Sequence, residues 1–397
     1  MTKQSDRITR LSESQTLAMA RKSRELIAQG IDIINLSLGE PDFDNPQYIK
    51  DAAKEAIDNN YTHYPPVAGY PDLREAISKK FKRDNDIHYS PEQIVVSTGA
   101  KQAIANVVLS LVNPGDEVLL PSPYWVSYPE QIKLAEGKPI VIHSHIDDDF
   151  KVTPQQIADA ITPKTKLLLF SSPCNPTGTV YTKDELKAIA KVIAPHENIY
   201  IISDEIYEHI IFDEKHESIA QFDFIKDRVI IVNGVSKGFA MTGWRIGYIG
   251  APEWIAKASI KIQGQVTSGT CTIAQKAAVA AINANPSSTY EMRDTFKRRR
   301  DFLLDLLKEI PGFETNIPQG AFYIFPDVSY YFGKSDGKTK ITSANDLSIY
   351  LLNEANVAIV TGKAFGDPNC IRISYSASDD KLIEAVVRIK KALEKLK

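Results

Sequence analysis

Cysteine is scarce in this 397-residue chain, with only Cys174, Cys271 and Cys370. Three thiols, far apart and odd in number, suggest neither a disulfide framework nor a zinc cluster. Such usage fits a reducing cytoplasm. Long apolar runs are missing too. No stretch of about 18 apolar residues exists, so no membrane-spanning helix is expected, and the polar start Met1–Arg10 lacks the apolar centre of a signal peptide. Excess charge of either sign is also missing. Lys and Arg number 47 against 50 Asp and Glu, a net −3, which offers no basic surface for nucleic acid. The seven histidines show no metal-ligand spacing, His143/His145 included. Low-complexity tracts and fixed-period repeats are absent.

What is present is an ordinary globular mix, 43% apolar and 24% charged, long enough for two or three domains. Short apolar runs of strand length recur between helical segments: Ile94–Val96, Val118–Leu120, Ile140–Ile142, Leu167–Phe170, Ile199–Ile202 and Val229–Val232. Runs apolar on both faces, alternating with helices, predict a mostly parallel sheet covered by helices. One helix, Gln102–Val112, is expected to stop at Asn113-Pro114-Gly115. Another, Glu185–Ile193, should open at the capping-box pattern Thr182-Lys183-Asp184-Glu185. This α/β unit is placed at 46–290. The remainder reads as α+β. It has a long amphipathic helix Glu291–Ile310, a strand Ala321–Phe325, a helix near Ala344–Glu354, strands Val357–Val360 and Ile371–Ile373, and a closing helix from Asp379. The triplet Arg298-Arg299-Arg300 reads as a solvated face. A helix over Ser12–Gly30 could pack with this unit, giving a small domain built from both chain ends, 1–45 and 291–397.

Four segments carry candidate chemistry, each just after a strand. Ser236-Lys237-Gly238 with Thr242-Gly243-Trp244-Arg245 offers an amine able to form a Schiff base and a planar fork for phosphate. Taken alone, that reading is weaker than a surface lysine and a structural arginine. Ser203-Asp204-Glu205-Ile206-Tyr207 ends a buried strand with a carboxylate, which could keep a pyridine nitrogen protonated or simply cap a helix. Glu205 is expected to be solvated or ion-paired. Ser172-Pro173-Cys174-Asn175-Pro176-Thr177-Gly178 is a rigid loop in which Asn175 could hold polar ligands and Cys174 is a bystander. Ser97-Thr98-Gly99-Ala100-Lys101 is a strand-to-helix turn whose backbone N–H groups suit phosphate. Trp125 could stack on an aromatic ring or pack in the core. Together the segments ask for one ligand, a flat phosphorylated pyridine aldehyde: pyridoxal 5′-phosphate.

The order and spacing of Asn175–Gly178, Ser203–Tyr207 and Ser236–Arg245 resemble the class I aminotransferases, which are fold-type I pyridoxal-phosphate enzymes. The stretches Gly39–Asp44, Ser122–Glu130 and Ala240–Tyr248 are similar to the bacterial-type aspartate aminotransferases of subgroup Ib. The resemblance implies a large domain with a mostly parallel seven-stranded sheet, a small α+β domain and a homodimer with shared active sites. It implies that Lys237 carries the cofactor, Asp204 pairs with the ring nitrogen, and Asn175 and Tyr207 meet the ring hydroxyl. Trp125 stacks on the ring. Gly99, Ala100, Ser236 and Arg245 hold the phosphate, with Tyr64 reaching across from the other subunit. Arg372 and the Gly39 backbone would bind the substrate α-carboxylate. Lys101, with Ser14 and Thr16, would bind the side-chain carboxylate. Ser12 stands where some members accepting prephenate carry lysine. Implied is ping-pong transfer of the amino group from L-aspartate to 2-oxoglutarate. Alternatives are another donor or acceptor (prephenate, aromatic or alanine) and a lyase of the same fold. A cofactor-sensing regulator would need an added DNA-binding domain, for which the chain has neither length nor basic charge.

Overall fold

The computed structural model describes residues 4–397, apart from the side chain of Ser288. The first three residues of the polar Met1–Arg10 stretch lie outside them. Seven strands form the main sheet: β1 (Ile94–Ser97), β2 (Glu117–Ser122), β3 (Lys138–His143), β4 (Thr165–Ser171), β5 (Tyr200–Asp204), β6 (Val229–Gly234) and β7 (Gly247–Gly250). Their order is β1-β7-β6-β5-β4-β2-β3. Only β7 runs against its neighbours, pairing antiparallel with both β1 and β6.

The buried runs alternate faces as a pleat requires. Leu168, Ile201 and Ile231 enter one core, with Val96 and Leu119. Their neighbours Leu167, Leu169, Ile202, Ile230 and Val232 enter the other. Both faces are therefore dry, which explains why these strands read as unbroken apolar runs. The six strands expected from such runs are all present. β7 gives no such signal, because Gly247-Tyr248-Ile249-Gly250 is short and half glycine. The glycines are required by packing: a Cβ on Gly247 would collide with the backbone of Gly99 and Ala100.

The helix after β1 starts two residues earlier than expected, covering Ala100–Leu111. The capping box at Thr182 is real. Thr182 Oγ1 accepts from Glu185 N–H and Glu185 accepts from Thr182 N–H at 2.7 Å, opening the helix Lys183–Ile193.

Outside this sheet, Ile34–Asn35 pairs in parallel with Val357–Ala358, so an early segment is stitched to a late one. Three further strands, Val360–Thr361, Ile371–Ser374 and Tyr323–Ile324, pair antiparallel. The long helix spans Ser287–Lys308. Its arginine triplet corrects the expectation of a solvated face. Arg298 is exposed, but Arg299 and Arg300 are buried. Asp42, Asp379 and Asp213 supply the anions that make this burial affordable. Among the described residues no helix is long and apolar enough to cross a membrane.

Candidate active site

Register brings the chemistry together. Asp204 on β5 lies opposite Ser171 on β4 and Val232 on β6. The loops carrying Asn175 and Lys237 therefore leave the sheet at the edge where Asp204 ends its strand. Ligands of open α/β sheets bind at such carboxyl edges. A cavity of about 290 Å³ opens there. It is lined by Asn175, Asp204, Tyr207, Ser236, Lys237 and Arg245 from the sheet edge. Ala100, Lys101 and Trp125 come from neighbouring turns, Ser14, Thr16 and Gly39 from the N-terminal segment, and Arg372 from the strand Ile371–Ser374. Two expected residues stand apart from the lining. Gly99 sits behind it and touches Arg245. Tyr64 points away into solvent at 96% exposure.

Lys237 donates from Nζ to the carbonyl of Gly39. Burial lowers its pKa from 10.5 to about 8; Arg372 and Arg245 push the same way, against Glu40 and Asp204. Its amine is thus partly neutral near neutral pH, the form a nucleophile needs.

Asp204 is buried, and burial raises its pKa from 3.8 to about 6. Two donors limit the rise. Tyr128 Oη donates to Oδ2 at 2.7 Å, and Ile206 N–H donates to Oδ1 at 3.2 Å. No helix follows Asp204 directly, so it is not an N-cap. Glu205 turns away from the cavity, buried among Ser203, Ser218 and His216.

Tyr207 shares a 2.8 Å hydrogen bond with Tyr323. Arg372 is 1% exposed. Its Nη1 donates to Asn175 Oδ1 at 3.0 Å and its Nη2 to Ser37 carbonyl at 2.5 Å, while Nε has no partner. Tyr323 and Phe365 flank the guanidinium at 4.6 and 4.8 Å. Lys101 Nζ sits 5.0 Å from the Trp125 ring centre. Burial, then Arg245, lowers its pKa. Thr16 Oγ1 is buried without a partner. Trp125 lies edge-on to Tyr128, with ring centres 5.4 Å apart. Cys174 is buried against Pro123 carbonyl, and burial raises its thiol pKa.

Sequence reasoning assigned no role to Tyr128, Tyr323 or Ser37. Tyr128 stands in the quoted stretch Ser122–Glu130, but nothing local marks it as a partner of Asp204, 76 residues away.

A family profile described as "Aminotransferase class I and II" matches residues 31–389. The chain belongs to this family. It is 47% identical over 398 residues to a bifunctional aspartate aminotransferase and glutamate/aspartate-prephenate aminotransferase of Petunia hybrida, covering 99% of this chain and 83% of that protein. It is 46% identical to an aspartate aminotransferase of a Bacillus species, covering 97% of each. The structure superposes on the aspartate aminotransferase of Rhizobium meliloti with a TM-score of 0.96 at 38% identity over the whole of both chains. The fold is that of the fold-type I pyridoxal-phosphate aminotransferases, and the chain is a transaminase of amino acids and 2-oxo acids that uses pyridoxal phosphate.

The residues present fit that cofactor. A Cβ on Gly99, at φ +82°, would collide with the Arg245 guanidinium, so glycine keeps open a turn at the start of the helix Ala100–Leu111. Asp204 is a buried carboxylate whose closest partners are neutral donors, the environment a pyridinium would complete.

Proposed function

We propose that this aminotransferase moves the amino group of L-aspartate to 2-oxoglutarate, giving oxaloacetate and L-glutamate. One observation carries the reading. Two cations, Arg372 and Lys101, line one cavity, and Lys101 has no carboxylate partner among the described residues. A dicarboxylic amino acid supplies two anions to meet them, and burying a carboxylate without a cation costs several kcal/mol.

In this reading Arg372, held by Asn175 and Ser37, presents its planar fork to the α-carboxylate beside the Gly39 backbone. Lys101 meets the side-chain carboxylate, with Ser14 and Thr16 supplying hydroxyls. Bound pyridoxal phosphate supplies the electron sink for the electrons of the broken Cα–H bond. Lys237 carries the cofactor, then takes the Cα proton and returns it one position along. Asp204 keeps a proton on the ring nitrogen. Asn175 and Tyr207 meet the ring hydroxyl, and Trp125 covers the ring face. Gly99, Ala100, Ser236 and Arg245 hold the phosphate. Both half-reactions use one cavity in turn, so the kinetics are ping-pong.

The working unit in this reading is a cytoplasmic homodimer whose exposed Tyr64 completes the partner's phosphate site. Each subunit has a large domain, 46–290, and a small domain from 1–45 and 291–397. A coupled assay tests the assignment: glutamate should form from 2-oxoglutarate with aspartate far faster than with alanine or phenylalanine. Faster turnover with a neutral donor would overturn the aspartate assignment. Loss of ammonia without glutamate would indicate a lyase.

A further inference from the structure

The segment Ser37–Asn45 crosses the mouth of the cavity as a strap. Two of its carbonyls hold the two cations that flank the reacting centre. Ser37 accepts from Arg372 and Gly39 accepts from Lys237. The strap also lies close against the wall, since a Cβ on Gly39 would collide with the Tyr323 hydroxyl. Where Gly39 sits therefore affects both cations at once.

Its far end is fastened at Asp42. Arg299 Nη1 and Nη2 donate to the two carboxylate oxygens of Asp42 at 2.7 and 2.9 Å, a bidentate pair. Arg299 is 7% exposed. Its Nε donates to Asp379 at 3.2 Å. Phe43 and Phe296 pack edge to face beside it, with ring centres 5.4 Å apart and 5.6 and 5.8 Å from the guanidinium. Only Glu40 and Pro41 separate this anchor from Gly39. Proline fixes its own φ, and Glu40 accepts from Thr242 Oγ1. Little slack is left between the clamp and the peptide that faces Lys237.

We propose that Arg299 is a positioning residue for amino-donor binding: its bidentate grip on Asp42 holds the Ser37–Gly39 peptides where they orient Arg372 and Lys237. This rests on the reading that Arg372 takes the α-carboxylate. Every amino donor has that group, so the clamp acts on all donors alike. Arg299 never touches substrate.

Asp42→Asn is the milder variant, because Asp379 still pairs with Arg299 and no buried charge is left alone. Arg299→Lys keeps the charge but cannot bridge both oxygens of Asp42. Each should raise KM for aspartate and for alanine by a similar factor of about five to ten, with kcat changed less than about threefold. The double variant should lose no more than the worse single, since one clamp is removed once. In the cofactor-free protein, amides of residues 37–42 should exchange with deuterium faster in both variants. Unchanged KM values with only a lower Tm would overturn the proposal, as would additive effects or unchanged exchange. If the unaltered protein moved no amino group, the functional reading would fail, while the exchange comparison would still decide for or against the clamp. Should Arg299→Lys not fold, Asp42→Asn decides by KM and exchange alone.

Discussion

Tyr128 donates its hydroxyl hydrogen to Asp204 at 2.7 Å, and both side chains are buried. Asp204 carries a folded pKa near 6 against an ordinary 3.8. The folded chain thus binds more protons than the unfolded one between these values, and this group makes stability fall as pH rises from about 4 through 6. The tyrosine donor opposes the rise by favouring the ionised form. Tyr128→Phe should push the Asp204 pKa higher. The cofactor-free protein should lose about 2 kcal/mol at pH 8 and much less at pH 5, where Asp204 is already mostly protonated. Denaturant melts at the two pH values measure the difference. Equal losses would mean that Tyr128 acts only by packing.

Lys237 has the opposite sign. Its folded pKa, near 8, lies below the ordinary 10.5, so between these values the unfolded chain binds more protons and this group makes stability rise with pH. Covalent capture of pyridoxal phosphate needs the neutral amine. The capture rate by cofactor-free protein should rise about tenfold per pH unit below 8 and level off above it. Stopped-flow absorbance gives the profile. A rate still climbing tenfold per unit at pH 9.5 would contradict the lowered pKa.

Lys101→Ala removes the cation beside Trp125. It should lower kcat/KM for aspartate by about ten- to a hundredfold, the scale of a lost charged contact, and leave alanine within about threefold. An equal loss for both donors would place Lys101 at the phosphate instead. This donor-selective pattern is also what separates Lys101 from the Arg299 clamp.

Gly99→Ala sets a methyl group against the Arg245 guanidinium at a backbone angle that L-residues rarely adopt. Cofactor retention should weaken at least about tenfold, with a smaller loss of fold stability, because the strain falls at the phosphate turn. Equilibrium dialysis against pyridoxal phosphate reads it, and unchanged retention would remove Gly99 from that turn's function.

Tyr64 offers a test of assembly. Lys237→Ala and Tyr64→Ala chains, each weak alone, should regain activity on mixing, because a heterodimer holds one site with both residues intact. Heterodimers shown to be present but inactive would contradict a shared site.

Much of this was legible before any coordinates. The six apolar strands declare themselves because both sheet faces are dry, as Leu167 and Leu168 show by pointing to opposite cores. Asn175, Asp204 and Lys237 declare themselves because each follows one of those strands. What escaped was non-local. Tyr128 and Asp204 meet only after the sheet forms. The antiparallel β7 is invisible because its glycines answer to the neighbouring Gly99–Ala100 backbone rather than to a core. The arginine triplet misled because helix periodicity reports which side chains are apolar, not which charges find anions. Arg299 and Arg300 are buried by Asp42 and Asp213, residues far away in the sequence.

The pairing of Ile34 with Val357 has a consequence for the order in which a growing chain becomes organised. Every strand of the main sheet lies between residues 94 and 250. That sheet can assemble while the ribosome is still making the rest. Ile34, although among the earliest residues made, must wait for nearly the whole polypeptide before its backbone finds a partner. The strap that follows it, with Ser37 waiting for Arg372 and Asp42 for Arg299, stays loose for the same interval. The mouth of the cavity is thus the last part to be tied, and shortening the chain before Val357 would untie it at the opposite end.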